Sequence, residues 1–321
     1  MNTMKWLVKR EFWEHKGGFF WAPIWVAGIM TFFLAVSLFA AVALGAKHGI
    51  HFNGTEVSNL SGAMSPKDKA EFVAGLATGY MGMSGPLFMV LGFVVFFFCL
   101  GSLFDERKDR SVLFWKSLPV SDSATVLAKV ALALVIAPAI TLVVATIMAL
   151  ISMVMICIAA ASFGLNVFGP VLSTPGLYLA PFQIAAILPV YVLWALPTVG
   201  WLMMVSAWAR TKPFLWAVGV PVLTGALLSW FNELFDFNMQ ISWFWHHIVG
   251  RGLLSVAPGS WFAMTDVGQG VRVGQNDGAD IGSMLTQSWQ LLATADLWIG
   301  VAVGAIMIYA AIRLRRWKDE G

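Results

Sequence analysis

The sequence predicts an all-α polytopic membrane protein with six transmembrane helices, and three observations predict it. The chain has 321 residues, 59% hydrophobic and only 12% charged, against about 25% charged in soluble domains. Its mean hydropathy is +0.78, and several uncharged runs exceed the roughly 20 residues that cross a bilayer as helix. Lipid admits only helices or closed barrels as spanning forms. These runs are continuous rather than alternating, so they read as helices.

Residues 3–16 read as an N-terminal interfacial helix. Met4, Leu7, Val8 and Phe12 share one side of the wheel and Lys5, Lys9 and Lys16 the other. Glu11 and His15 interrupt the apolar side, and Trp6 and Trp13 suit a headgroup-level position. Gly17-Gly18 allows a bend into a first span of about 19–45. The first apolar run is too long for a cleavable signal peptide, so none is expected. Residues 47–82 read as a polar outer loop. Within it Ser65-Pro66-Lys67-Asp68 starts a short helix of about 66–80 at the outer surface, with a Ser cap, Pro at the first position and an acid three residues after the cap.

The second span is about 83–104, and the charged stretch 105–122 follows. No charge occurs between Lys129 and Arg210. The Gly, Asn, Pro, Ser and Thr of 162–181 are loop chemistry, which favours two spans, about 126–160 and 183–209. Pro138, Pro189 and Pro197 should bend them. After a basic turn at Arg210 and Lys212 comes the fifth span, about 213–235. Residues 236–290 form a second outer loop, in which Trp243, Trp245 and Trp261 point to re-entrant or interfacial segments. The last span, about 292–312, leads to Arg313, Arg315, Arg316 and Lys318.

Orientation follows from the placement of Lys and Arg. With six spans one side receives Lys5, Lys9, Arg10, Lys16, Arg107, Lys108, Arg110, Lys116, Lys129, Arg210, Lys212 and the four tail cations, fifteen of the 20 basic residues. The other receives Lys47, Lys67, Lys69, Arg251 and Arg272. Both termini are therefore expected in the cytoplasm.

Ionisable residues at mid-membrane mark ion and proton pathways, and the span centres carry none. That argues against a proton- or sodium-coupled carrier. There is no HExxH and no GxSxG, and the adjacent pair His246-His247 points about 100° apart on a helix, a poor metal geometry. Cys99 and Cys157 lie in separate apolar runs and read as small core residues. No GxxxxGK[ST] occurs. If ATP drives this protein, another chain binds it.

The stretch Asp105–Asp122 holds eight charged residues between two long apolar runs. On a helical wheel, 109–118 places Phe114, Leu118, Ser111, Trp115 and Val112 on one arc of roughly 160°. Asp109, Lys116, Leu113, Ser117 and Arg110 occupy the other. Such a helix lies along the inner membrane face and presents charges plus one apolar anchor, Leu113. Pro119 ends it, and Ser121 or Asp122 can cap the next span.

Asp105-Glu106-Arg107, the amphipathic turn, Ser117-Leu118-Pro119-Val120-Ser121 and then Lys129 resemble the coupling-helix region of type-2 ATP-binding-cassette (ABC) exporter permeases. In that family a Glu-Arg pair opens the loop between spans two and three and a Leu-Pro-Val-Ser element closes it. The layout is similar over nearly the whole chain, the motif over about 25 residues. One position departs: where many members have Gly four residues after the motif Glu, this chain has Arg110.

The resemblance implies a permease subunit of the bacterial cytoplasmic (inner) membrane. It implies a homodimer bound to two copies of a separate ABC ATPase that carries ATP and Mg, with no cofactor on this chain and no nucleic acid. Asp105, Glu106, Arg107, Asp109, Arg110 and Lys116 would meet the ATPase. Leu113 would enter its surface cleft, Phe114, Trp115 and Leu118 would hold the helix to the membrane domain, and Pro119 would close the coupling element. It also implies a substrate path at the dimer interface along spans two and five, which makes Phe96, Phe97, Phe98 and Trp230 candidate lining residues. An uncharged aromatic path suits an amphiphilic substrate such as a lipid, a drug or a hydrophobic peptide. Two alternatives stay open: a membrane-embedded enzyme in which His51, His246, His247 and Asp266 converge at the outer surface, and a channel or sensor with no ATPase.

Overall fold

In a computed structural model of the chain the described residues are 3–48, 50–52, 55–57, 62, 64–109, 120–235, 240–266 and 281–318. Six helices are long and apolar enough to cross a membrane: Gly17–Leu44, Pro66–Lys108, Asp122–Ser162, Pro175–Trp208, Leu215–Phe235 and Ala295–Trp317. They are spans 1 to 6 below, and the chain is an all-α, multi-pass membrane protein. Among the described residues strand occurs only as the antiparallel pair Ile50–Phe52 and Thr55–Val57, inside the segment read as polar loop.

The helix at Pro66 begins as its residues require. Ser65 Oγ accepts from Asp68 N at 3.2 Å, and Asp68 Oδ2 accepts from Ser65 N at 3.1 Å. It does not stand apart at the surface. It runs through a 3-10 turn, Tyr80–Ser84, straight into Gly85–Lys108, because Leu76, Ala77, Tyr80 and Met81 are buried against the Cys157, Val171 and Leu177 region. The two cysteines lie apart in separate core clusters, each buried and free.

Span 4 corrects a second expectation. Its helix starts at Pro175, not near 183, and a short helix, Phe168–Ser173, precedes it, so most of the expected 162–181 loop is helical. Pro181, Pro189 and Pro197 all lie inside. A proline lacks the N–H that would satisfy the carbonyl four residues back. The carbonyl freed by Pro181 is that of Leu177, and the Tyr80 hydroxyl donates to it at 2.9 Å.

The same accounting explains three π-helical turns. Gly17–Trp21, Leu132–Ile136 and Leu215–Gly219 each precede, by one residue, a proline: Pro23, Pro138 and Pro221. Widening the turn lets Ala22 N–H reach Gly17 O and Ala137 N–H reach Leu132 O, five residues back. Pro221 frees the Ala217 carbonyl, to which Trp201 Nε1–H donates at 2.9 Å from span 4. At Pro181 and Pro221 a neighbouring side chain thus supplies what proline withholds, as a membrane interior demands. Trp201→Phe is expected to cost about 1 kcal/mol. Adding Pro221→Ala should recover most of that loss, since alanine's amide can serve Ala217; SDS-titration unfolding that finds the double variant no better than the single one refutes this account.

Spans 2, 3, 4 and 6 share the main core around Leu91, Val95, Val126, Trp194, Leu202 and Ile308. Spans 4 and 6 cross at glycine. A Cβ on Gly200 would lie 3.1 Å from Gly304 Cα, and one on Gly304 would lie 2.6 Å from the Leu196 carbonyl carbon. Spans 1 and 5 are the least buried.

The described part of 240–290 is largely helical rather than open loop. Residues 241–254 and Ser260–Met264 form a helical hairpin, reversed at Gly259 with φ 83°, a left-handed conformation that suits glycine. Its tip enters the bundle: Tyr191 Oη–H donates to Val256 O at 3.0 Å and Trp194 Nε1–H to Ser260 Oγ at 3.0 Å. Trp261, one of the tryptophans expected at the surface, is buried, with Nε1–H donating to Ser288 Oγ at 3.1 Å. Trp243 is exposed.

Candidate functional site

The residues that root the charged stretch converge at one end of the bundle. Glu106, near the end of span 2, takes Lys129 Nζ of span 3 at 2.9 Å on one oxygen and Arg315 Nη1 of span 6 at 2.6 Å on the other. Lys129 also bonds Glu11 of the N-terminal helix Thr3–Glu14 at 2.6 Å. Arg10 holds Glu11 at 2.7 Å and Glu14 at 3.0 Å and comes within 3.7 Å of Glu106. Arg315 Nε donates to Asp122 at 3.2 Å. Glu11 and Lys129 are buried, at 0% and 1% exposure. Alternating cations and carboxylates in one network let each buried charge be compensated on more than one side.

The cluster has local reasons. Glu11 breaks the apolar side of its helix, and that side is the one packed on span 3. Asp122 lies in the first turn of span 3, where the helix dipole favours a carboxylate, and Lys129 stands two turns further along the same helix. Ser121 Oγ caps that segment by accepting from Ala124 N at 3.2 Å.

Arg107 makes a second tie. Its Nη2 donates to Ser206 O at 2.6 Å and Ala209 O at 2.8 Å, the carbonyls that the end of span 4 leaves exposed. Ser206 Oγ in turn accepts from Leu103 N and Phe104 N at 3.1 and 3.0 Å. Span 2 is thus fastened at its charged end to spans 3, 4 and 6 and to the N-terminal helix. These ties also put residues 10–14, 105–107, 122, 209 and 315 at one end of the bundle.

Of the expected coupling residues, Asp105 and Asp109 are exposed, and Asp109 N–H closes the helix on Asp105 O at 2.9 Å. Glu106 and Arg107 are drawn into the bundle. Arg110, Leu113, Phe114, Trp115, Lys116, Leu118 and Pro119 lie outside the described residues. The candidate path residues diverge. Phe98 is buried against Phe19 and His15, with centroids at 4.9 and 4.8 Å, and Phe96 packs on the core. Phe97 is exposed and stacks on Phe214, in the helical start of span 5, at 6.4 Å, and Trp230 is exposed beside Phe231.

Glu11, Glu14 and His15 bring ligand atoms within 4.8 Å of one another, the spacing of a cation site. Arg10 and Lys129 already occupy the Glu11 oxygens and Arg10 one of Glu14, so the charge a metal would supply is present. Sequence reasoning named Lys129 only as part of the motif and missed Glu11, Arg315 and Ser206 as members of this centre. The signal was there for Glu11, a charge on the packing side of an amphipathic helix. Arg315 and Ser206 carried none, being one tail cation and one small residue among many.

Comparison with family models, with curated proteins and with solved structures finds no match to this chain.

Proposed function

We propose that this chain is the permease subunit of an ABC exporter, working as a homodimer with two copies of a separate ATPase that binds ATP and Mg. The observation that carries the reading is the fastening of one charged stretch to four of the spans and the N-terminal helix. A force applied to residues 109–118 reaches span 3 and span 6 through Glu106, span 4 through Arg107, and the N-terminal helix through Lys129 and Glu11. The chain has no phosphate-binding loop of its own, so the energy enters from a partner, and this is where a partner gains most leverage.

In this reading the basic end faces the cytoplasm of a bacterial inner membrane, with both termini inside. The coupling helix is the one expected over residues 109–118, with Leu113 in the ATPase cleft. The exposed aromatic edge of Phe93, Phe97, Phe214 and Trp230 on spans 2 and 5 meets the second copy and borders a path for an amphiphilic substrate. In this reading the chain acts as a transport subunit.

The test is Leu113→Asp in a strain co-expressing the ATP-binding subunit encoded beside this chain. Membrane insertion should be unchanged, while co-purification of the ATPase and permease-stimulated ATP hydrolysis should fall at least about tenfold, the effect of placing a charge in an apolar cleft. Retained association at the wild-type level sinks the assignment. Glu106 is left intact because changing it would unbalance Lys129 and Arg315 and confound coupling with stability.

A further inference from the structure

A second polar centre lies far from the charged stretch. Arg251, in the helical hairpin, is 8% exposed, its Cζ 4.4 Å from the Trp194 ring centroid and its guanidinium against Gly300. Its carbonyl accepts from Thr198 Oγ1 at 3.0 Å and from Ser255 Oγ, so the backbone is held and the side chain is aimed between spans 4 and 6. Nε and Nη2 make no hydrogen bond among the described residues. Those two nitrogens are themselves closed in against Gly300, and the Arg251 side chain lines a cavity of about 560 Å³ between the hairpin and spans 4, 5 and 6.

The depth of this group is set by span 6. Gly300 is 15 residues from Arg315, about 22 Å along a helix. If Arg315 marks one edge of a core of about 30 Å, the guanidinium lies roughly 8 Å inside the other. An arginine without a hydrogen-bonding partner at that depth costs several kcal/mol, and the Trp194 face offsets part of it. The other charged cavity-lining residue is Asp296, exposed in the first turn of span 6 and one turn farther out than Gly300. His247 also lines the cavity, its Nδ1 at 3.1 Å from Trp243 O. Inward of Arg251 the wall turns apolar, with Val303 and Met307.

We propose that this cavity binds a zwitterionic phospholipid, its phosphate on Arg251, its ammonium at Asp296 and its acyl chains along Val303 and Met307. From the membrane edge inward the wall is anionic, then cationic, then apolar, and a phosphate–ammonium headgroup entered tail-first carries the complementary order. A purely anionic headgroup would meet Asp296, and a purely cationic one would meet Arg251. The inference does not depend on whether an ATPase drives the protein.

The test uses full-length chain in maltoside detergent and thermal unfolding followed by tryptophan fluorescence, titrated with dihexanoyl phosphatidylethanolamine or dihexanoyl phosphatidic acid. Phosphatidylethanolamine should raise Tm saturably, with a half-saturation concentration about tenfold or more below that of phosphatidic acid, the worth of one charge-assisted contact. Asp296→Asn should remove that preference, and Arg251→Met should remove the response to both lipids. Because Arg251 also packs on Trp194, Gly252→Leu is the second variant. Gly252 lines the cavity and a Cβ there meets nothing within 4 Å beyond its chain neighbours, so leucine takes up cavity space while both charged side chains are kept and should abolish the lipid response. Equal half-saturation for the two lipids in the wild type, or an unaltered response in Gly252→Leu, overturns the proposal.

Discussion

Replacing Lys129 with methionine is expected to destabilise the chain by about 3–5 kcal/mol, the cost of leaving a buried carboxylate without its partner. The ammonium lies 2.6 Å from Glu11 and 2.9 Å from Glu106, and Glu11 is fully buried. Methionine matches lysine in length, so the loss is charge rather than volume. Arg10 still compensates one Glu11 oxygen, which keeps the effect finite. The double variant Glu11→Gln with Lys129→Met should recover much of the loss, because a neutral amide can be buried at lower cost than an unpaired carboxylate. SDS-titration unfolding checks both, and a Lys129→Met chain as stable as wild type would contradict the network. Under the permease reading the double variant should fold yet couple poorly, since the N-terminal helix is no longer bound to span 3 by charge.

The crossing of spans 4 and 6 should be nearly as sensitive. Gly304→Val is expected to cost about 3 kcal/mol or more, at the upper end of overpacking. Its first side-chain carbon would fall 2.6 Å from the Leu196 carbonyl carbon and 2.8 Å from Pro197 N. These are backbone atoms of the facing helix and cannot rotate aside, so the helices must separate. Separation pulls apart the cavity wall at Gly300 one turn away and the Arg315 contacts two to three turns below. Ala302→Val, on the exposed side of the same span, is the control and should change stability little. Size-exclusion profiles and the SDS midpoint report the outcome; a monodisperse Gly304→Val with a wild-type midpoint would show that the helices do not meet there. Small residues at this spacing are how membrane helices approach closely, and Gly300-Val-Ala-Val-Gly304 was readable as such a pattern.

The spans were legible because crossing a bilayer is a property of one segment. Its length is set by the hydrocarbon thickness and its composition by the absence of water, so six apolar runs could be read one at a time. Capping was legible for the same reason, as Ser65 with Asp68 shows. The boundary of span 4 was not. Residues 175–182 carry the Gly and Pro of a loop, and they are helical because Tyr80, nearly a hundred positions earlier, donates to the carbonyl that Pro181 releases.

What the sequence by itself determined is therefore the class of the protein, the number of its spans, the basic end they share and the lack of an ATP-binding loop. What only the tertiary structure decided is which charges meet. Glu11 and Lys129 are 118 positions apart, and nothing local to either names the other. Arg251 reads as a loop cation on the less basic side, yet the hairpin carries it into the bundle, against Trp194. The physical reason is common to both cases. A charge buried among helices is tolerable only where its compensation arrives from another segment, and that arrival depends on how the whole bundle packs.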